Sequence, residues 1–232
     1  MGLPHYLATT PEEFANLPSL PEHIAWMSCR FSTETAGLTQ LPRQLPAGSI
    51  LVLEDSVSPS GHDPAVILRD VEPYLRDLRG ILLDFQKPDN PETAAIAKAL
   101  TTALPCPVGV SQLYASGLDC AIFLPPAPLH IPSEAYLAPY PNRDIWLEAA
   151  LCQEEIIVTE AGTEFRSISS APELSGSFYD HTLHCNYRTQ LSGNAVTFTL
   201  FDTRTSLRDK LAQALALGVK LTIGLWQELG DY

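Results

Sequence analysis

Short apolar runs alternate along the chain with segments whose apolar positions recur every three or four residues, the pattern of a parallel α/β sheet or barrel. Strands are expected at 4–8, 23–29, 49–54, 80–86, 107–111, 120–124, 145–150 and 220–226, which makes eight. Helices are expected between several of them, at 11–16, 64–78, 91–104 and 206–217. The third helix has a readable start: Asn90 can cap it, and Pro91 suits a first helical position because proline has no N–H to leave unpaired. The last is expected to begin after Thr205 and to end at Gly218, which can take the left-handed conformation of a C-terminal cap.

Two regions break the alternation. Pro125, Pro126, Pro128, Pro132, Pro139 and Pro141 make the segment after the sixth strand too proline-rich for helix or central strand, so a stiff loop is expected. From 154 to 201, β-rich runs are separated by Glu160-Ala161-Gly162 and Ser192-Gly193-Asn194, which read as hairpin turns. An antiparallel insertion over 152–201 is therefore expected on the C-terminal rim of a single compact (β/α)₈ barrel spanning 1–232.

Composition narrows the classes. A chain of 232 residues has room for one sizeable core, and 45% hydrophobic with 18% charged residues describes a folded globular protein. Lys and Arg number 14 against 27 Asp and Glu, a net charge of -13, and there is no local basic cluster. No nucleic-acid partner is expected from such a field. No apolar stretch has membrane-spanning length, so no membrane insertion is expected. The five cysteines, Cys29, Cys106, Cys120, Cys152 and Cys185, are odd in number, scattered and without a C-x-x-C pair. Reduced, mostly buried thiols in a cytoplasmic compartment follow, with secretion or spore association the alternative if a leader has been removed. Phosphate-loop, dinucleotide-binding and nucleophile-elbow signatures are absent, and no cofactor is expected. Asp180-His181-Thr182-Leu183-His184-Cys185 holds metal-ligand types, but on a strand His181 and Cys185 share one face and His184 the other, so no metal site is expected.

The chemistry-bearing stretch is Arg79-Gly80-Ile81-Leu82-Leu83-Asp84-Phe85-Gln86. It resembles the family 18 glycoside hydrolase signature D-G-x-D-x-D-x-E, with Gly80 and Asp84 matching and Arg79, Leu82 and Gln86 standing where the family has acids. The tail is similar too: after a hairpin, Asp202, Ser206, Lys210, Trp226 and Gly230 fall in the order of the family's last helix and strand, most like the branch acting on spore peptidoglycan. The resemblance implies a TIM barrel in which the carboxylate at position 84 orients the acetamido group of the substrate and the residue at 86 protonates the leaving oxygen. Gln86 cannot do that as a carboxylic acid does, which removes a step worth roughly 10²–10⁴ in rate. The Tyr and Asp that the family usually carries on its sixth strand are missing as well, since Ile122-Phe123-Leu124-Pro125-Pro126 stands there. Trp226 corresponds to the tryptophan that floors the central sugar subsite.

Three functional readings follow. The first is a catalytically inactive relative that binds an amino-sugar glycan, or keeps a vestigial cleft, through Asp84, Gln86 and Trp226. The second is a protein-interaction scaffold using the rim insertion and the proline-rich loop. The third is an active glycosidase with relocated carboxylates, for which Glu54, with Asp55 beside it, Glu148 and Glu228 are candidates because acids at C-terminal strand ends are where such barrels keep their chemistry. Trp26, Tyr136, Tyr140 and Trp146 are assigned to packing.

Overall fold

The apolar runs become parallel strands because each must be buried on both faces, and eight of them achieve this by closing on themselves. A computed structural model describes residues 3–17, 19, 21–169 and 172–229; Gly230 lies outside them. In chain order the elements are β1 (His5–Thr9), α1 (Pro11–Ala15), β2 (Ile24–Phe31), β3 (Leu38–Thr39), β4 (Ile50–Glu54), α2 (Pro64–Val71), β5 (Gly80–Asp84), α3 (Pro91–Ala103), β6 (Val108–Ser111), β7 (Ala121–Leu124), α4 (Ser133–Leu137), β8 (Ile145–Glu148), β9 (Gln153–Thr159), β10 (Gly162–Ser167), β11 (Phe178–Asp180), β12 (Cys185–Ser192), β13 (Ala195–Phe201), α5 (Arg204–Ala216), β14 (Leu221–Leu225) and α6 (Trp226–Leu229). The barrel runs β1-β14-β8-β7-β6-β5-β4-β2 and closes through β1 and β2, all parallel, with β3 antiparallel outside β2. All eight expected barrel strands are present.

Alternate side chains fill the interior. Tyr6, Ile50, Val52, Leu82, Phe123, Trp146 and Ile223 form one buried cluster inside the barrel. Trp146 takes the most room, and the strands opposite make way for it. A Cβ on Gly109 would stand 2.4 Å from its indole, and one on Gly80 2.7 Å from the Pro107 carbonyl and 2.9 Å from the indole, so neither position has room for a side chain. The other faces of the strands, with Leu51, Leu83 and Phe85, pack outward against Ile67 and Val71 of α2 and Ile96 and Leu100 of α3. Trp26 belongs to this outer layer, its Nε1 donating to the Gln40 carbonyl at 3.0 Å.

Several boundaries differ from expectation for local reasons. The helix expected over 64–78 ends at Val71 and continues as a single 3₁₀ turn over Glu72–Tyr74, because Pro73 cannot supply the next helical N–H. The proline-rich segment holds a helix after all: α4 fits between Pro132, which caps it, and Pro139. α5 begins at Arg204, earlier than expected, since Thr203 and Ser206 form a reciprocal cap. Asn90 caps α3 as expected, accepting from the amides of Glu92 and Thr93. β14 stops at Leu225, and Trp226 opens α6. β5 stops at Asp84, so Gln86 lies beyond the strand.

Between β8 and α5 the chain forms an antiparallel sheet in the order β10-β9-β13-β12-β11, with tight turns at Glu160-Ala161 and Gly193-Asn194. Leu129 and His130 of the proline-rich segment rest on this sheet: Leu129 packs with Cys185 and Leu200, while His130 pairs with Glu154 at 2.8 Å and stacks on Phe165. At the sheet's exit Asp202 is buried. Its carboxylate accepts from Lys210 Nζ at 2.7 Å, from Ser206 Oγ at 3.0 Å and from the Cys152 amide at 3.2 Å, which clamps α5 to both ends of the insertion. Among the described residues no helix is long and apolar enough to cross a membrane.

Candidate functional site

The inward positions at the C-terminal strand ends are where a barrel exposes its chemistry. Here Asp84 ends β5 and Glu148 ends β8, and both line one cavity of about 60 Å³ at the mouth, together with Ala8, Met27, Phe123 and Leu225. The concavity is small and opens to solvent at the barrel mouth. The proline-rich segment does not line it.

Asp84 is half-buried, and the side-chain amide of Gln86 donates to its Oδ1. Burial pushes its pKa up, the Gln86 hydrogen bond works against that, and the charges of Asp55 and Glu54 add to the rise. Gln86 is itself exposed but its backbone is held: the Asp55 carboxylate accepts from the amides of Gln86 at 2.9 Å and Lys87 at 3.0 Å. Ser111 Oγ adds a 2.6 Å bond to the Phe85 carbonyl. The loop carrying Gln86 is therefore fixed at three consecutive residues by buried partners.

Asp55 is thus taken up in structure. A buried carboxylate with a backbone amide on each oxygen is satisfied where it is, and Asp55 does not line the cavity. Glu54, half-buried, accepts from Ser56 Oγ at 2.9 Å and adds its charge beside Asp84. Glu228 accepts from the Leu151 amide at 3.3 Å. Glu148 has its pKa pushed up to about 7, by burial first and then by the charges of Asp84 and Glu228. It is the group the sequence signal undervalued: a strand-end acid in an acidic chain, distinguished only by what closure of the barrel puts opposite it.

Trp226 is half-buried at the start of α6 and is not among the residues lining the cavity, where Leu225 takes the inward direction. Tyr136 and Tyr140 serve the loops, donating to the Pro125 carbonyl at 2.9 Å and to Gln112 Oε1 at 3.1 Å. His181 and His184 lie in the turn between β11 and β12, where the Asp180 carboxylate accepts from the amides of Thr182 and Leu183, while Cys185 is buried below. Among the described residues no group of three or more His, Cys, Asp or Glu is arranged to hold a metal ion.

The cavity wall is mostly apolar, with Met27, Val52, Leu82, Phe123, Ile223 and Leu225 on it, and Asp84 and Glu148 are its two carboxyl groups; Gln86 bonds to Asp84 but does not line it.

No family model matches the chain, and no curated protein matches it. Solved structures do. The spore cortex-lytic enzyme SleL of Bacillus cereus matches with a TM-score of 0.56 at 12% identity, over 96% of this chain and 70% of that one. A chitinase of Chromobacterium violaceum matches with a TM-score of 0.51 at 10% identity, over 96% and 93%. The multi-modular chitinase ChiW of a Paenibacillus matches with a TM-score of 0.58 at 11% identity, over 96% of this chain and 41% of its own length. The chain shares with these proteins the closed parallel barrel, which is the fold that its sequence resemblance implies.

Proposed function

We propose that the barrel mouth binds an amino-sugar glycan and does not cleave it by the route the family resemblance implies. The observation that carries this reading is Gln86: an amide stands at the position of the proton donor, bonded to Asp84 and held by the Asp55 clamp. Fold likeness to chitinases and a cortex-lytic enzyme supports the ligand class by analogy. The size of the mouth supports the mode. A small mouth walled by Met27, Leu82, Phe123 and Leu225 with Asp84 and Glu148 on it suits a substituent that is part apolar and part hydrogen-bonding, such as an acetamido group. A chain of sugars extending past Leu225 would reach Trp226, whose ring suits stacking on a pyranose.

Calorimetric titration with N-acetylglucosamine oligomers tests this. Binding is expected, lost in Asp84→Ala and weakened in Trp226→Ala, with no release of reducing ends from chitin oligomers or peptidoglycan. Absence of binding by every oligomer would refute it.

One observation favours a second reading, that of a hydrolase with relocated acids. Glu148, near neutral in pKa, shares the cavity with Asp84 and could act as the acid of such a pair. That reading requires turnover with a pH optimum near 7 that Glu148→Gln abolishes.

A further inference from the structure

The antiparallel sheet differs from the barrel in having open edges, and one of them is self-complementary. β10 pairs only with β9 among the described residues, and all six of its residues are exposed. The register sets which of its backbone groups are free. Gly162 faces Thr159 across the turn, and the Ile168 amide bonds to the Gln153 carbonyl at 3.3 Å, so even-numbered residues exchange hydrogen bonds with β9. Thr163, Phe165 and Ser167 therefore turn their N–H and C=O groups to the open edge.

The five residues Thr163-Glu164-Phe165-Arg166-Ser167 are complementary to themselves when read in reverse. Antiparallel pairing centred on Phe165 sets Phe165 against its own copy, Thr163 against Ser167, and Glu164 against Arg166 twice. It is also the register in which the three outward-turned residues meet as hydrogen-bonded pairs. Glu164 and Arg166 already bond to each other at 2.8 Å within one chain, with both side chains more than half exposed, so they can exchange partners without desolvation. Phe165 is 51% exposed on the apolar face, beside Val158 at 37%.

We propose that β10 is a homodimerisation edge, pairing antiparallel with β10 of a second copy about a two-fold axis through Phe165. The union makes one ten-stranded sheet whose apolar faces run together and whose charged pairs line the other side. It is closed, since each copy uses the same edge and the opposite edge strand, β11, is only three residues long. A closed pair removes the hazard that an open, fully exposed edge would otherwise present.

Sedimentation equilibrium across the micromolar range, with charge-reversed variants, tests the pairing. The wild type is expected to dimerise. Glu164→Lys sets Lys against Arg twice, and Arg166→Glu sets Glu against Glu twice, so each should weaken self-association by about tenfold or more. Mixing these two variants restores both opposite-charge pairs, and a dimer should reappear that contains one copy of each. This mixing also shows that neither variant is merely misfolded. A wild type that stays monomeric, a dimer indifferent to both reversals, or variants that fail to associate on mixing would each overturn the proposal.

Discussion

The barrel and the antiparallel sheet solve the same problem in opposite ways. Each barrel strand is paired on both edges and buried on both faces, and its interior is filled to the point that Gly109 must stay bare under the Trp146 indole. The sheet leaves its apolar side partly open: Phe178 is 65% exposed and Leu191 77%. Closure leaves no barrel strand with an open edge and puts Asp84 and Glu148 together at the strand ends. The sheet keeps free backbone and free apolar surface, so its chemistry is that of association. Stability should therefore concentrate in the barrel, function at its mouth, and assembly on the sheet.

Several substitutions would break or sharpen that contrast. The largest effect is expected inside the barrel: Trp146→Ala leaves a cavity that the two glycines cannot fill, and should cost about 3–5 kcal/mol in a denaturant titration. A loss below about 1 kcal/mol would mean the interior is not the stabilising element that the packing implies.

Next comes the joint between the two regions. In Lys210→Ala the buried Asp202 carboxylate loses its cation, at a cost of about 2–3 kcal/mol, reduced from that of a fully buried pair because Lys210 retains some solvent contact. Equal stability of variant and wild type by chemical denaturation would show that Ser206 and the Cys152 amide suffice.

At the mouth, Glu148 gives a pH-dependent effect. Its folded pKa, pushed up to about 7, lies above the ordinary glutamate value of 4.5, so the folded state binds the proton more tightly than the unfolded one. The corresponding stability is present below pH 4.5 and lost as pH rises through 7. Glu148→Gln removes the charge, and should raise stability at pH 8 by about 1–2 kcal/mol with little change at pH 5. Thermal melts at the two pH values check the sign, and an equal shift at both would exclude titration of Glu148 as the cause.

The smallest effect belongs to the sheet. Leu191→Thr, on its exposed tip, should change stability by no more than about 0.5 kcal/mol in the monomer. A larger loss would mean that something covers this face.

Much of the barrel was legible because its information is local. The eight apolar runs, the Asn90-Pro91 helix start and the turns at Glu160-Ala161 and Gly193-Asn194 all depend on neighbours within a few residues, and they stand where the pattern puts them. Proline was overread: the prolines around α4 allow a short helix between them, since only the residues at its ends are constrained. In the tail, residue order alone carries the pattern, and its physical reason lies in the fold. Asp202, Ser206 and Lys210 are together because they clamp the helix to the insertion.

By itself the sequence determined the eight strands, an amide at position 86 and the excess of acidic over basic side chains. These follow from residue identity and a period of two along a strand, which need no knowledge of distant partners. Only the tertiary structure decided that Asp55 anchors the loop carrying Gln86, that Glu148 shares a cavity with Asp84, that Leu225 and not Trp226 lines that cavity, and that Gly109 leaves room for Trp146. Each of those depends on closing the barrel. Closure brings residues from strands far apart in the chain within reach of one another, and burial and charge at such contacts, not residue type, set what a carboxylate or an indole can do.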